Sequence, residues 1–231
     1  MKILATVLAR GGSKRVPGKN LREIDGKPLV TRAVDGAMGL ADVCAVLVST
    51  DDSHIAQVAT AAGALVPWLR PAHLASDTAS SVDACLHALD WFEREFGTID
   101  GLMLLQPTSP FRTRESVLTG IDLFRSSGLR SVIGVSPAKS HPFWCFRVEE
   151  GWLRPYFPGA DLTARSQDLP PAYVINGAFY LITPTRLRRD RTFMSADMLP
   201  IMMSEKEGLD VDSEEDWALA QSMASRQELA T

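Results

Sequence analysis

The succession of short apolar runs and amphipathic stretches across the first half constrains this chain more than any other feature. Ile3–Leu8 is an apolar run of the length of a strand buried on both faces. The polar residues 10–20 that follow, with Gly11, Gly12, Pro17 and Gly18, read as a loop. Pro28 suits the first turn of a helix reaching Met38. Residues 43–48 read as a second strand, and Ser49, Thr50 and Asp51 offer caps for a helix to Ala62 that Gly63 ends. Residues 65–68 predict a third short strand. Val82, Cys85, Leu86, Leu89, Phe92 and Phe96 keep helical spacing and predict an amphipathic helix over 78–96. A strand over 102–106, a helix marked by Val117, Leu118, Ile121 and Phe124, and a strand over 131–136 continue the rhythm. Repeated βα units predict an α/β fold, a mostly parallel sheet with helices on both faces.

The rhythm breaks at residues 137–171, which are rich in Pro and aromatics and have no clear period. Glu149-Glu150-Gly151 reads as a hairpin turn between 146–148 and 152–153. Phe143, Trp144 and Phe146 point either to contact with another surface, such as a second subunit, or to a flap folded on the protein's own core. Residues 173–182 return as a strand interrupted at Asn176-Gly177, and Ser213 with Asp216 forms a capping-box pattern for a last helix to Ser225. The organisation is one domain over 1–231 with an insertion at 137–171.

Composition narrows the function. With 24 basic against 28 acidic residues the net charge is −4, so no basic field points to nucleic acid. The apolar runs are too short to span a bilayer. Met1-Lys2 leads directly into a strand, which predicts no signal peptide, and Cys44, Cys85 and Cys145 read as unpaired core thiols of a cytoplasmic protein.

The loop after the first strand is the strongest chemical signal. Ligands of open α/β sheets bind beyond the carboxyl ends of strands. There, Gly11 and Gly12 let backbone N–H groups approach an anion, and Arg10, Lys14, Arg15 and Lys19 supply cations. Polyphosphate is the natural match, although neither common phosphate-loop spacing is present. The plainer reading is a solvated basic loop. Asp210-Val211-Asp212 is the second signal: carboxylates two apart on a strand share a face and can reach one hard cation such as Mg²⁺. Taken alone, that pair fits a strand end entering the capped helix equally well.

The loop 9–20 resembles the A-R-x-G-S-K…K-N signature of the CMP-sialic acid synthetases, the acylneuraminate cytidylyltransferases. Further matches follow in order: Leu69-Arg70-Pro71, the stretch Ala75-Ser76-Asp77-Thr78-Ala79-Ser80-Ser81, the block Leu104-Leu105-Gln106-Pro107-Thr108-Ser109-Pro110-Phe111-Arg112, Ser140-His141-Pro142, Asn176-Gly177-Ala178-Phe179-Tyr180, and Asp210-Val211-Asp212. The resemblance runs nearly end to end. It implies a Rossmann-like nucleotidyltransferase in which an acid sugar attacks the α-phosphate of CTP and releases pyrophosphate. It assigns Arg10, Ser13, Lys14 and Lys19 to the triphosphate, and Asn20, Arg70, Ala79 and Ser81 to the cytidine. Gln106, Asn176, Ala178 and Tyr180 go to the acid acceptor, and Asp210 and Asp212 to Mg²⁺. Arg10, Lys19 and Asp212 are then the catalytic group. Asp212, or a water on the metal, is the candidate acceptor for the proton of the attacking hydroxyl. The resemblance also implies a homodimer with 137–171 as the contact.

One position departs from the family. Val174 stands where the sialic acid enzymes carry an Arg on the acid-sugar side, while a second family Arg aligns with Arg165. Losing a fixed cation beside an anionic substrate leaves the acceptor open among modified nonulosonic acids (legionaminic or pseudaminic), an octulosonic acid, and a small phosphonate such as phosphonoformate. Arg165 and Lys139 are remaining anion contacts or plain surface residues. His141 either approaches the acid or makes a turn. His54, His73 and His87 read as ordinary side chains, and Arg186, Arg188, Arg189 and Arg191 as a solvated helix end. A glycosyltransferase is disfavoured because its D-x-D falls mid-chain. A non-catalytic nucleotide-binding module is disfavoured because Arg10, Lys19, Asp210 and Asp212 are all present.

Overall fold

The structure, a computed structural model, describes residues 1–228. The strands are β1 (Ile3–Leu8), β2 (Glu23–Ile24), β3 (Lys27–Pro28), β4 (Val43–Ser49), β5 (Gly101–Leu104), β6 (Val132–Pro137), β7 (Phe146–Glu149), β8 (Trp152–Pro155), β9 (Tyr173–Ile182) and β10 (Leu199–Met202). The helices are α1 (Leu29–Asp35), α2 (Ser53–Ala61), α3 (Ser81–Phe96), α4 (Arg114–Ser126), α5 (Pro184–Asp190) and α6 (Glu214–Glu228). The main sheet has six strands in the order β10-β6-β9-β5-β1-β4. Every pairing in it is parallel except the two that β9 makes, with β5 and β6. The expected mostly parallel sheet is therefore present, with one antiparallel strand at its centre.

Strand parity builds the two faces. Ile3, Ala5 and Val7 of β1 pack with Val30 and Val34 of α1, Ile55 of α2 and Ile121 and Phe124 of α4. Leu4 turns to the opposite face, with Cys85, Leu89 and Phe92 of α3 and Leu187 of α5. A smaller cluster joins Val16, Ile24, Leu29, Val211, Trp217 and Ala220, and so ties the loop after β1 to the segment entering α6. The capping box of α6 is formed: Asp216 Oδ2 accepts from the Ser213 N–H, and the Asp216 N–H donates to Ser213 Oγ.

Several boundaries move for physical reasons. The first helix ends at Asp35 rather than Met38, closed by Gly36. The cap of α2 is Asp52, whose carboxylate accepts from the amides of His54 and Ile55; Ser49 is the last residue of β4 and is buried with Thr50. Residues 65–68 make only one isolated bridge, at Leu65 against β4, and a second follows at Leu69 against Thr50. The third helix starts at Ser81, capped by Ser80, so residues 78–80 belong to a loop. Of the three cysteines read as core thiols, only Cys85 is buried, where desolvation pushes its thiol up to about 12. Cys44 lies on the edge strand β4 and Cys145 in the insertion, and both are exposed. Among the described residues no helix is long and apolar enough to cross a membrane.

The seam between α4 and the sheet leaves no room at Gly120. A Cβ there would lie 2.5 Å from both Ile201 Cδ1 and Phe179 Cζ. Gly120→Val should therefore lower unfolding free energy by about 1–3 kcal/mol through overpacking, read as a lower urea midpoint. An unchanged midpoint would mean that this seam is looser than described.

Candidate active site

Two adjoining clefts open at the carboxyl ends of β1 and β5. The first, about 610 Å³, is walled by the loop after β1, by residues 74–81 at the start of α3, and by Gln106, Thr108, Asp210 and Asp212. The second, about 660 Å³, is walled by Ser136–Ser140, by Val174–Gly177 with Tyr180 of β9, and by Glu205, Leu209, Asp210 and Asp216. Gln106 and Asp210 line both.

The loop and the aspartates are in contact. Lys19, 8% exposed, donates from Nζ to Val211 O at 2.7 Å and to Asp212 Oδ1 at 3.0 Å. Two of its three donors are thus engaged. Arg15 holds Asp212 Oδ2 at 2.9 Å. The Val211 N–H donates to Thr108 O at 2.8 Å, which fixes this segment to the turn after β5. Desolvation raises the pKa of Asp210, the Thr108 hydrogen bond opposes that, and the neighbouring Asp212 charge adds to it. A carboxylate crowded in this way gains from a nearby cation. Residues 210–212 lie outside any strand, against the expectation that a strand's alternation puts both carboxylates on one face, but Asp210 and Asp212 both line the first cleft and are the carboxylates that would face a cation there.

Arg10 and Lys14 meet a different anion. Both pair with Asp77, Arg10 at 2.7 Å, and these contacts hold the Asp77 carboxyl below its ordinary range. Asp77 lies in the loop before α3, so an internal carboxylate occupies cations that face the first cleft. Arg70 is buried, and its guanidinium is spent on the end of β4, with Nε 2.9 Å from Ser49 Oγ and Nη2 on Ser49 O. Burial lowers its pKa. Asn20 Nδ2 donates to Arg10 O at 2.9 Å and steadies the loop from within.

This geometry has relatives. A family model described as Cytidylyltransferase matches residues 4–95. The CMP-N,N'-diacetyllegionaminic acid synthase of Legionella pneumophila is 35% identical over 227 residues, which is 96% of this chain and 96% of that one. The chain belongs to the CMP-nonulosonic acid synthetase family. The pseudaminic acid cytidylyltransferase of Campylobacter jejuni is 30% identical over 183 residues, 79% of each chain. The solved structure of a CMP:2-keto-3-deoxy-manno-octonic acid synthetase complexed with CTP matches 98% of this chain and all of that one, with a TM-score of 0.73 at 18% identity, and so shares the fold.

Most residues that the sequence assigned to nucleotide in this synthetase line the first cleft: Arg10, Ser13, Lys14, Lys19, Asn20, Arg70, Ala79 and Ser81. Gly11 and Gly12 do not. The Gly11 amide, expected to meet an anion, donates to Asp51 Oδ1 at 2.9 Å, and a Cβ on Gly11 would lie 2.7 Å from Asp52 Oδ2. Gly11 is glycine because the turn presses on the cap of α2. On the acceptor side Gln106, Asn176 and Tyr180 line the second cleft. Ala178 is fully buried and does not. His141 makes a turn, with Nδ1 accepting from the Phe143 amide and Nε2 3.1 Å from Pro170 O. Arg165 is exposed and pairs with Asp168 at 2.8 Å, away from both clefts. The Arg186, Arg188, Arg189 and Arg191 cluster is neutralised by Asp197, Asp90, Glu93, Asp190 and Asp83. Asp77 and Thr108 line the first cleft, and Arg112 holds the main chain of Gln106 and Ala178 behind it; the sequence singled out none of the three. Each lay within a quoted motif, and only the fold shows what it touches.

Because Asp77 competes for Arg10 and Lys14, Asp77→Asn should free them and lower the KM for CTP several-fold, measured by pyrophosphate release at saturating acceptor. A raised KM would make Asp77 an organiser of the loop instead.

Proposed function

We propose that this synthetase transfers CMP from CTP to a hydroxyl of an acylated nonulosonic acid, of the N,N'-diacetyllegionaminic acid type, and releases pyrophosphate. The carrying observation is that two clefts share one wall made by Gln106 and Asp210. The triphosphate lies in the first, against Arg10, Lys14 and Lys19, with the cytidine toward Arg70 and the start of α3. The acid lies in the second, where the volume of about 660 Å³ suits a nine-carbon sugar far better than a small phosphonate. Lys139 is the cation lining that cleft and is our candidate partner for the acid's carboxylate, since Val174 and Ile175 give an apolar wall where the family places an Arg. An apolar wall suits the methyl groups of acyl substituents.

The attacking hydroxyl oxygen forms its bond to the α-phosphorus at the shared wall as its proton passes to water in the open cleft. The bond from that phosphorus to the bridging oxygen breaks, and pyrophosphate leaves with the electron pair. Displacement of this kind needs alignment and charge neutralisation above all. Lys19 is held in place by Val211 O and Asp212, so its charge is already oriented before substrate arrives. Asp210 and Asp212 would hold Mg²⁺, which neutralises phosphate charge and polarises the α-phosphate. Asp212 has both oxygens engaged by Lys19 and Arg15, so its first role is to set those cations rather than to take the proton.

The protein is further proposed to be a cytoplasmic homodimer. β7 and β8 form a separate two-stranded sheet, with Val148 71% and Trp152 and Leu153 each 67% exposed. A lone hairpin with such faces is marginal in water, and a second copy of the chain laid on it would cover them.

The test is pyrophosphate release with CTP and Mg²⁺ across N,N'-diacetyllegionaminic, pseudaminic, sialic and octulosonic acids and phosphonoformate. Turnover should be fastest with the first and should stop with a chelator. Lys19→Ala should cut turnover by roughly 10²–10³-fold with the fold intact. Turnover with phosphonoformate alone, or an undiminished Lys19→Ala variant, would overturn this reading.

A further inference from the structure

Arg112 sits just before the cap of α4, half-buried, and burial pushes its pKa down to about 9. A desolvated guanidinium is costly to keep unless its donors are used. Arg112 spends them on two main-chain oxygens, Ala178 O from Nε and Gln106 O from Nη2 at 2.8 Å. These carbonyls belong to different strand segments. Gln106 ends the run that leaves β5, and Ala178 follows the kink in β9.

Both segments carry the wall of the second cleft. The kink is built by Gly177, at φ +75°, and by Asn176, whose Oδ1 accepts from the Ala178 amide at 3.0 Å and whose Nδ2 donates to Ser136 Oγ at 2.9 Å. The Asn176 amide is consumed in holding the strand, so it shapes the wall and does not reach a ligand freely. A Cβ on Gly177 would lie 2.6 Å from Gln106 Oε1, so the Gln106 side chain lies across this glycine. The backbone of the same two segments is clamped by one guanidinium fork.

We propose that Arg112 is a positioning residue for the acceptor: it locks the Gln106 backbone to the β9 kink, and so sets where the Gln106 amide stands at the wall between the clefts. The inference rests on the proposed transfer to a nonulosonic acid. It predicts a larger effect on the acid than on CTP, because Arg10, Lys14 and Lys19 pair with Asp77, Asp212 and Val211 and touch neither carbonyl that Arg112 holds. Lys has a single ammonium and cannot reproduce a planar fork between two carbonyls.

The experiment compares wild type, Arg112→Lys and Gly177→Ala, each assayed for KM of N,N'-diacetyllegionaminic acid, KM of CTP and the thermal shift caused by CTP. Wild type is the control for the reaction: no pyrophosphate release from it defeats the transfer reading and this inference with it. Given wild-type turnover, Arg112→Lys should raise the KM of the acid by roughly 10–100-fold and leave the CTP-induced shift in Tm unchanged. Gly177→Ala, which displaces the Gln106 amide, should show the same split and decides the matter if Arg112→Lys does not fold. An unchanged KM for the acid in the folded variants, or an equal loss toward CTP, would overturn the inference.

Discussion

The site depends on how Val211 is held. Its side chain is fully buried beside Val16 of the loop after β1, its N–H donates to Thr108 O, and its carbonyl accepts from Lys19. One residue thus joins the first loop, the turn after β5 and the segment entering α6. The apolar packing brings distant parts of the chain together without direction, and the two main-chain bonds supply the direction. With Val211 fixed, Asp210 and Asp212 line the first cleft, and Lys19 is oriented while buried. Such preorganisation lets a cation act on developing phosphate charge without first paying to reorient.

The surrounding charges follow a common design. Lys19 and Arg15 lean on Asp212, and Arg10 and Lys14 lean on Asp77. A cleft with this many cations would repel itself if left unpaired, and each internal carboxylate offsets part of that repulsion. The two acids differ in kind. Asp212 is anchored next to Val211 and supports Lys19 from behind. Asp77 sits on an irregular loop between Leu74 and Ser80 and covers cations from the cleft side.

Much of this was legible in the sequence because strands buried on both faces read as unbroken apolar runs and helices half-buried against the sheet keep helical spacing. β1, β5 and β6 are of the first kind, and α3 and α4 of the second. β10 was not legible: Leu199-Pro200-Ile201-Met202 is an edge strand with a proline and one buried side chain, so it carries little pattern. The loop chemistry was legible as charge and glycine, but its partners were not. The Gly11 amide meets Asp51, and Arg70 is spent on Ser49, because tertiary contacts forty and twenty-one residues apart decide where a donor goes. His141 and Arg165 have the residue types for an anion, and the fold gives them nearer partners, a turn for His141 and Asp168 for Arg165. Arg112 was visible only as the last letter of a motif, since a clamp on two carbonyls leaves no periodic trace.

Triphosphate and metal should meet between the glycine-bearing loop and the Asp210–Asp212 segment. A crystal structure with CTP and Mn²⁺, its metal located by anomalous scattering, should show a manganese peak at coordination distance from Asp210, with phosphate oxygens on Lys19 and with Arg10 and Lys14 released from Asp77. Nucleotide bound elsewhere, or manganese away from both aspartates, would show that the two segments do not form the site.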